Sequence, residues 1–174
     1  MERPNLPNKI IVHHSADGRT TPQFDIVNES HRVRFGFVSG LGFYIGYHYF
    51  VEHDGEVRQA RKENEEGAHA KGQNTSSIGI CLAGNFNEAV PSEKQKESLC
   101  KLIEEVLGRW LIRENAIYPH RAFADTSCYG SMLGDDWARE TYRQFKKKSI
   151  LKLIKSALEK LAKLYEQLIA KISK

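Results

Sequence analysis

Ile10, Ile11 and Val12 run into His13 with no polar break, a pattern that predicts a short buried strand over residues 10–13. Residues 22–34 read as a helix, with Thr21 as its N-cap and Pro22 at its first position. The stretch 35–42 is aromatic and glycine-rich, a surface loop. Tyr47, Tyr49 and Val51 then alternate with His48, Phe50 and Glu52; His53-Asp54-Gly55 turns the chain, and residues 56–60 return as a second strand. Residues 77–83 are apolar on both faces, as in a central strand. Ser92 and Gln95 form a capping box for a helix reaching about Ile112, with Leu99, Ile103, Val106, Leu107 and Trp110 on one stripe. A short strand at 116–118 delivers His120, and a last helix starts near Asp135 or Asp136 with no breaker before the C-terminus. The expected architecture is α/β: a single domain with a central mixed β-sheet flanked by helices, ending in a long C-terminal amphipathic helix.

A length of 174 residues suits one well-packed domain. Three cysteines form no even framework, which argues against a disulfide-stapled secreted scaffold. The N-terminal residues lack a basic segment followed by an apolar one, so synthesis in the cytoplasm without a signal peptide is expected. The net charge of +4 is unevenly spread: residues 146–174 hold nine lysines against two glutamates, leaving 1–145 mildly acidic. This divides the chain into a body, 1–145, and a basic amphipathic helix, 146–174, continuous with the last helix of the body.

Chemistry concentrates in three distant side chains. His13 closes the first strand; His120 and Cys128 share a turn-rich segment. Two imidazoles and one thiolate would hold a zinc ion and leave its fourth position open, the arrangement that separates catalytic from structural zinc. Spacing alone is a weak signal for residues so far apart. His14 alternates to the other side of the strand and should point away from such a metal. Cys81 and Cys100 read as core or boundary residues, His48 as packing, and His31 and His53 as surface residues.

With these segments in place, the chain resembles the zinc-dependent N-acetylmuramoyl-L-alanine amidases, which include short phage endolysins and peptidoglycan recognition proteins. The resemblance rests on Ile11-Val12-His13-His14-Ser15-Ala16, Gly46-Tyr47-His48-Tyr49 with Asp54-Gly55, and Gly67-Ala68-His69-Ala70-Lys71-Gly72. It continues through Asn74, Ser77-Ile78-Gly79-Ile80-Cys81-Leu82 and the segment from His120 to Cys128-Tyr129-Gly130, covering roughly residues 8–143. It implies zinc ligands at His13, His120 and Cys128 and a catalytic tyrosine at Tyr47. It also implies a groove histidine at His69, with Lys71 and Asn74 as polar loop residues placed for a sugar or stem peptide. Thr126 stands where phage members often have lysine and recognition proteins often have threonine, so the oxyanion-stabilising group departs from the phage pattern. Tyr129 replaces the proline usual after the cysteine.

The implied activity is zinc-dependent cleavage of the amide between N-acetylmuramic acid and L-alanine in bacterial peptidoglycan, as by a phage-type endolysin acting on the wall after release. A host-encoded wall-recycling amidase is a variant of that reading. The alternatives are a non-catalytic peptidoglycan-binding recognition module, or a membrane-active tail carried by a wall-binding domain. In the tail, apolar residues from Ile150 to Ile172 recur at 3/4 spacing. That stripe would pack on the body, self-associate, or lie on anionic membrane or lipopolysaccharide. Nucleic acid is not expected as a partner, because the lysines are not interleaved with stacking aromatics.

Overall fold

The computed structural model describes residues 2–172. A five-stranded sheet forms the centre, built from β1 (Lys9–His14), β2 (Tyr49–Val51), β3 (Val57–Gln59), β4 (Ser77–Leu82) and β5 (Ile117–Pro119), in the order β3-β2-β4-β1-β5. β1 runs parallel to both β4 and β5, and β2 parallel to β4; β3 alone is antiparallel, on the edge, joined to β2 by the expected hairpin. Gly55 in that turn has φ +88°, the left-handed region where only glycine is comfortable. The two innermost strands, β1 and β4, are buried almost throughout, which is why their sequences carry no polar alternation.

One face of the sheet carries Ile10, Val12, Tyr49, Val51, Ile78, Ile80 and Leu82. Against it pack α2 (Glu93–Trp110), through Leu99, Ile103, Val106 and Leu107, and the first turns of α3 (Trp137–Ile172), through Ala138 and Tyr142. The capping box is present: Ser92 Oγ accepts the Gln95 N–H and Gln95 Oε1 accepts the Ser92 N–H, both at 3.1 Å. Truncating a fully buried member of this layer, such as Leu99 or Ile103, to alanine would cost about 2–5 kcal/mol.

The opposite face holds a smaller cluster of Phe24, Ile45, Phe50, Cys81 and Ala83, covered by α1 (Phe24–Phe35). This helix corrects the sequence expectation. It starts at Phe24, after Gln23, rather than at Pro22 after a Thr21 cap. The cap comes from far along the chain: the buried Glu52 carboxylate accepts the backbone N–H of Gln23 at 3.0 Å and of Phe24 at 2.8 Å. A carboxylate at the positive end of a helix supplies both the acceptor and the favourable charge.

The last helix runs unbroken over Trp137–Ile172. Every residue from Ile150 to Ile172 is solvent-exposed, so the apolar stripe does not pack on the body. Among the described residues no helix is long and apolar enough to cross a membrane.

Candidate metal centre

Parallel pairing brings the carboxyl ends of β1 and β5 together, where open α/β sheets commonly bind ligands. Val12 is in register with Pro119, so His13 lies beside His120, which opens the short 3-10 turn His120–Ala122. Their ring centroids are 4.5 Å apart. The loop beyond folds back, with the Arg121 N–H donating to the Cys128 carbonyl at 2.9 Å. Cys128 Sγ thereby reaches to 3.7 Å from His13 Nδ1. One donor atom from each of His13, His120 and Cys128 lies within 4.8 Å of the others, a group able to hold a metal ion.

The electrostatics suit a cation. Burial, then the neighbouring His69 and His120, holds His13 well below the ordinary imidazole range, and burial lowers His120 too. Both rings are therefore neutral at physiological pH, the state in which an imidazole can bind a metal. Burial pushes the Cys128 thiol up to about 11, while the His14 N–H, donating to Sγ at 3.5 Å, pulls the other way. A thiol so placed ionises readily only when a metal shares its site.

The surroundings fix the donors. His13 Nε2 lies 2.9 Å from His69 Nδ1. The tautomer that leaves the His13 Nδ1 lone pair free for a metal carries its proton on Nε2, where His69 accepts it. His69 fits between two glycines: a Cβ at Gly67 or Gly79 would come within 2.4 Å or 2.6 Å of its ring. His14 turns to the other face of β1, as its alternation requires, and its Nδ1 accepts the Phe86 N–H at 2.9 Å.

Tyr47 packs on the same side as His13, with ring centroids 4.9 Å apart. Here the alternation read from the sequence fails. Tyr47 precedes β2 in a bend and joins the Phe50 cluster, whereas Tyr49 and Val51 face α2. Burial, followed by the thiols of Cys81 and Cys128, raises its hydroxyl well above the ordinary tyrosine range, which keeps it a proton donor. His31, expected on the surface, is half-buried instead. Its ring lies 5.4 Å from that of Tyr47, and its Nδ1 accepts the Gly46 N–H at 3.0 Å.

The remaining residues singled out in the sequence take the following places. Thr126 is exposed, and its Oγ1 accepts the Cys128 N–H at 3.2 Å, so it shapes the cysteine loop. Asn74 Oδ1 accepts the N–H groups of His69 and Ala70 at 2.9 and 2.8 Å, holding the His69 loop. Lys71 is exposed in the same loop. Cys81 and Cys100 are buried in the core as expected, although Cys81 abuts Tyr47.

Sequence reasoning missed three supports. His31 was one. The glycine cradle of His69 was another. The third is Arg121, which donates to the carbonyls of Gly130 at 2.8 Å and Leu133 at 2.5 Å, bracing the cysteine loop. Tyr129, in the place of proline, is fully buried, with its hydroxyl donating to the Asp135 carbonyl at 2.8 Å.

Comparison with known proteins identifies the family. Peptidoglycan-recognition protein SC1a of Drosophila melanogaster is 31% identical over 136 residues, covering 76% of this chain and 72% of that protein. The endolysin of Escherichia phage T7 is 34% identical over 90 residues, covering 48% of this chain and 58% of the endolysin. Among solved structures, the N-acetylmuramoyl-L-alanine amidase LysC from Clostridium intestinale URNW superposes with a TM-score of 0.67 at 31% identity, covering 80% of this chain and 85% of that one. Residues 3–131 match the family described as N-acetylmuramoyl-L-alanine amidase. The chain belongs to the N-acetylmuramoyl-L-alanine amidase family.

Proposed function

We propose that this protein is a zinc-dependent hydrolase that cleaves the amide between N-acetylmuramic acid and L-alanine of peptidoglycan, acting on the cell wall as an endolysin does. The observation that carries this reading is the convergence of the His13, His120 and Cys128 donors beside the Tyr47 ring. Two neutral imidazoles and a thiol fit zinc, with one position left for solvent or substrate. A zinc ion held there supplies an acidified water and a Lewis acid for the amide carbonyl.

The chain's own residues do the rest. His69 orients His13 through the 2.9 Å hydrogen bond. The Tyr47 O–H donates to the oxygen on which negative charge grows during attack, and one such donor is worth about 10²–10³ in rate. Thr126, exposed and bonded through Oγ1 to the Cys128 N–H, is the proposed second hydroxyl donor. Lys71 and Asn74, in the His69 loop, are the proposed contacts for sugar or stem peptide, with His69 lining the groove beneath them.

The recognition-protein relatives favour a second reading, in which the same groove grips peptidoglycan without cutting it. Mass spectrometry of purified peptidoglycan, digested with and without chelator, separates the two. Cutting produces new L-alanine amino termini and intact glycan strands, and chelator abolishes them. Binding to peptidoglycan with no new termini at any zinc concentration would support the recognition reading instead.

A further inference from the structure

From Ile150 onward α3 leaves the body, and its described residues 146–172 carry eight lysines against two glutamates. At 3.6 residues per turn, Ile150, Leu151, Ile154, Leu158, Leu161, Leu164, Tyr165, Leu168 and Ile172 fall on one arc of roughly 140°. Leu153 is the large apolar residue that falls outside it. Lys155 borders the arc on one edge, and Lys160 and Lys171 border it on the other. Lys152, Lys163, Glu159 and Glu166 stand on the far side. The apolar residues are exposed by 48% at Ile150, 60% at Leu158, 63% at Leu161 and 62% at Leu164.

Two occupants compete for this face: a second copy of the helix, or a lipid surface. Leu151, Ile154, Leu158, Leu161, Tyr165, Leu168 and Ile172 do follow a heptad seam. A paired helix would place Ile150, Ala157, Leu164 and Lys171 along one flank of that seam and Lys155, Ala162 and Ile169 along the other, with no glutamate at either. Complementary charges at those flanks are what specify coiled-coil partners, and here they are missing. A wide apolar arc edged by lysines instead matches hydrocarbon below and anionic headgroups alongside, with the lysine stems lying along the boundary.

We infer that residues 146–172 form a membrane-surface helix that lies in the headgroup region of an anionic phospholipid bilayer. About 40 Å of helix is available for this. The first turns of α3 pack on the sheet face that carries Ile10 and Val12, and His13, next along β1, points to the other face. This reading goes beyond amide cleavage and does not depend on it.

The full chain would be sedimented with phosphatidylglycerol–phosphatidylethanolamine vesicles, with phosphatidylcholine vesicles and with lipopolysaccharide aggregates. The expected result is at least tenfold tighter binding to the anionic vesicles than to phosphatidylcholine, weakening as salt is raised. The double substitution Leu158→Glu, Leu161→Glu, at exposed positions, should abolish binding while leaving the circular dichroism of the body unchanged. Binding that survives this substitution, or that occurs only to lipopolysaccharide, would overturn the inference. So would a concentration-dependent dimer or larger assembly in sedimentation velocity that the same substitution dissolves, with no vesicle binding.

Discussion

His13 Nε2 and His69 Nδ1 are 2.9 Å apart, so one histidine of the donor cluster is oriented by another residue 56 positions along the chain. Orienting partners of this kind typically change metal affinity 10–100-fold when lost. His69→Leu should therefore weaken zinc binding by that factor in a competition titration against a chromogenic chelator. Gly79→Ala should do the same at full length of the His69 side chain, because its Cβ would sit 2.6 Å from the ring. Unchanged zinc affinity in both variants would remove His69 from the metal's support.

Tyr47 has a different signature. Its hydroxyl stays protonated across the physiological range, because burial and two nearby thiols hold its ionisation high. Tyr47→Phe should keep stoichiometric zinc yet lower turnover on peptidoglycan about 10²–10³-fold. Loss of zinc together with activity would show the ring to be a packing element instead.

Cys128→Ser should lose zinc and activity together, since an alcohol does not ionise to replace the thiolate. In the wild type, chelator should lower the melting temperature and zinc should restore it, because a metal bound to the folded state alone adds to stability. A serine variant that retained stoichiometric zinc would mean that another donor closes the site.

Acid should destabilise the fold through His48 as well. Its ring is fully buried, its Nδ1 accepts the Gly79 N–H at 3.0 Å, and burial pushes its pKa down to about 3. The unfolded chain takes up this proton below about pH 6.5 and the folded chain does not, so stability falls as pH drops from 6.5 toward 3. The slope approaches about 1.4 kcal/mol per pH unit for one such group. In urea titrations of chelated protein at successive pH values, His48→Asn should flatten that slope whatever it does to the stability at pH 7. An unaltered slope would assign the acid sensitivity to other histidines.

Local pattern disclosed the parts of this molecule that are determined locally. The Ser92–Gln95 capping box, the Asp54-Gly55 turn and the two innermost strands each carry their signal within a few residues, and each forms as expected. The start of α1 did not show, because its cap is Glu52, 29 residues away from Gln23. Tyr47 shows a related limit: strict alternation would set it with Tyr49 and Val51, yet its ring lies beside His13, where the resemblance put it. The alternation continues through Gly46-Tyr47-His48, but the backbone bends there before β2 begins. His31 looked like a surface residue on a helix of low amphipathicity, and its contact with Tyr47 exists only because the loop after α1 returns over it. The grouping of His13, His120 and Cys128 was read from their chemistry and strengthened by resemblance to a family; the parallel register of β1 and β5 sets the two histidines side by side, and the fold-back of the following loop brings the thiol.

The two-sidedness of the sheet has an evolutionary reading. His13, Tyr47 and the His69 loop share one surface of the sheet, while α3 packs on the other, where Cys128 joins the same cluster. Substitutions beyond Phe145 can accumulate, or a different helix can be grafted there, without displacing any of the three donor atoms. The terminal segment is in that sense an exchangeable accessory.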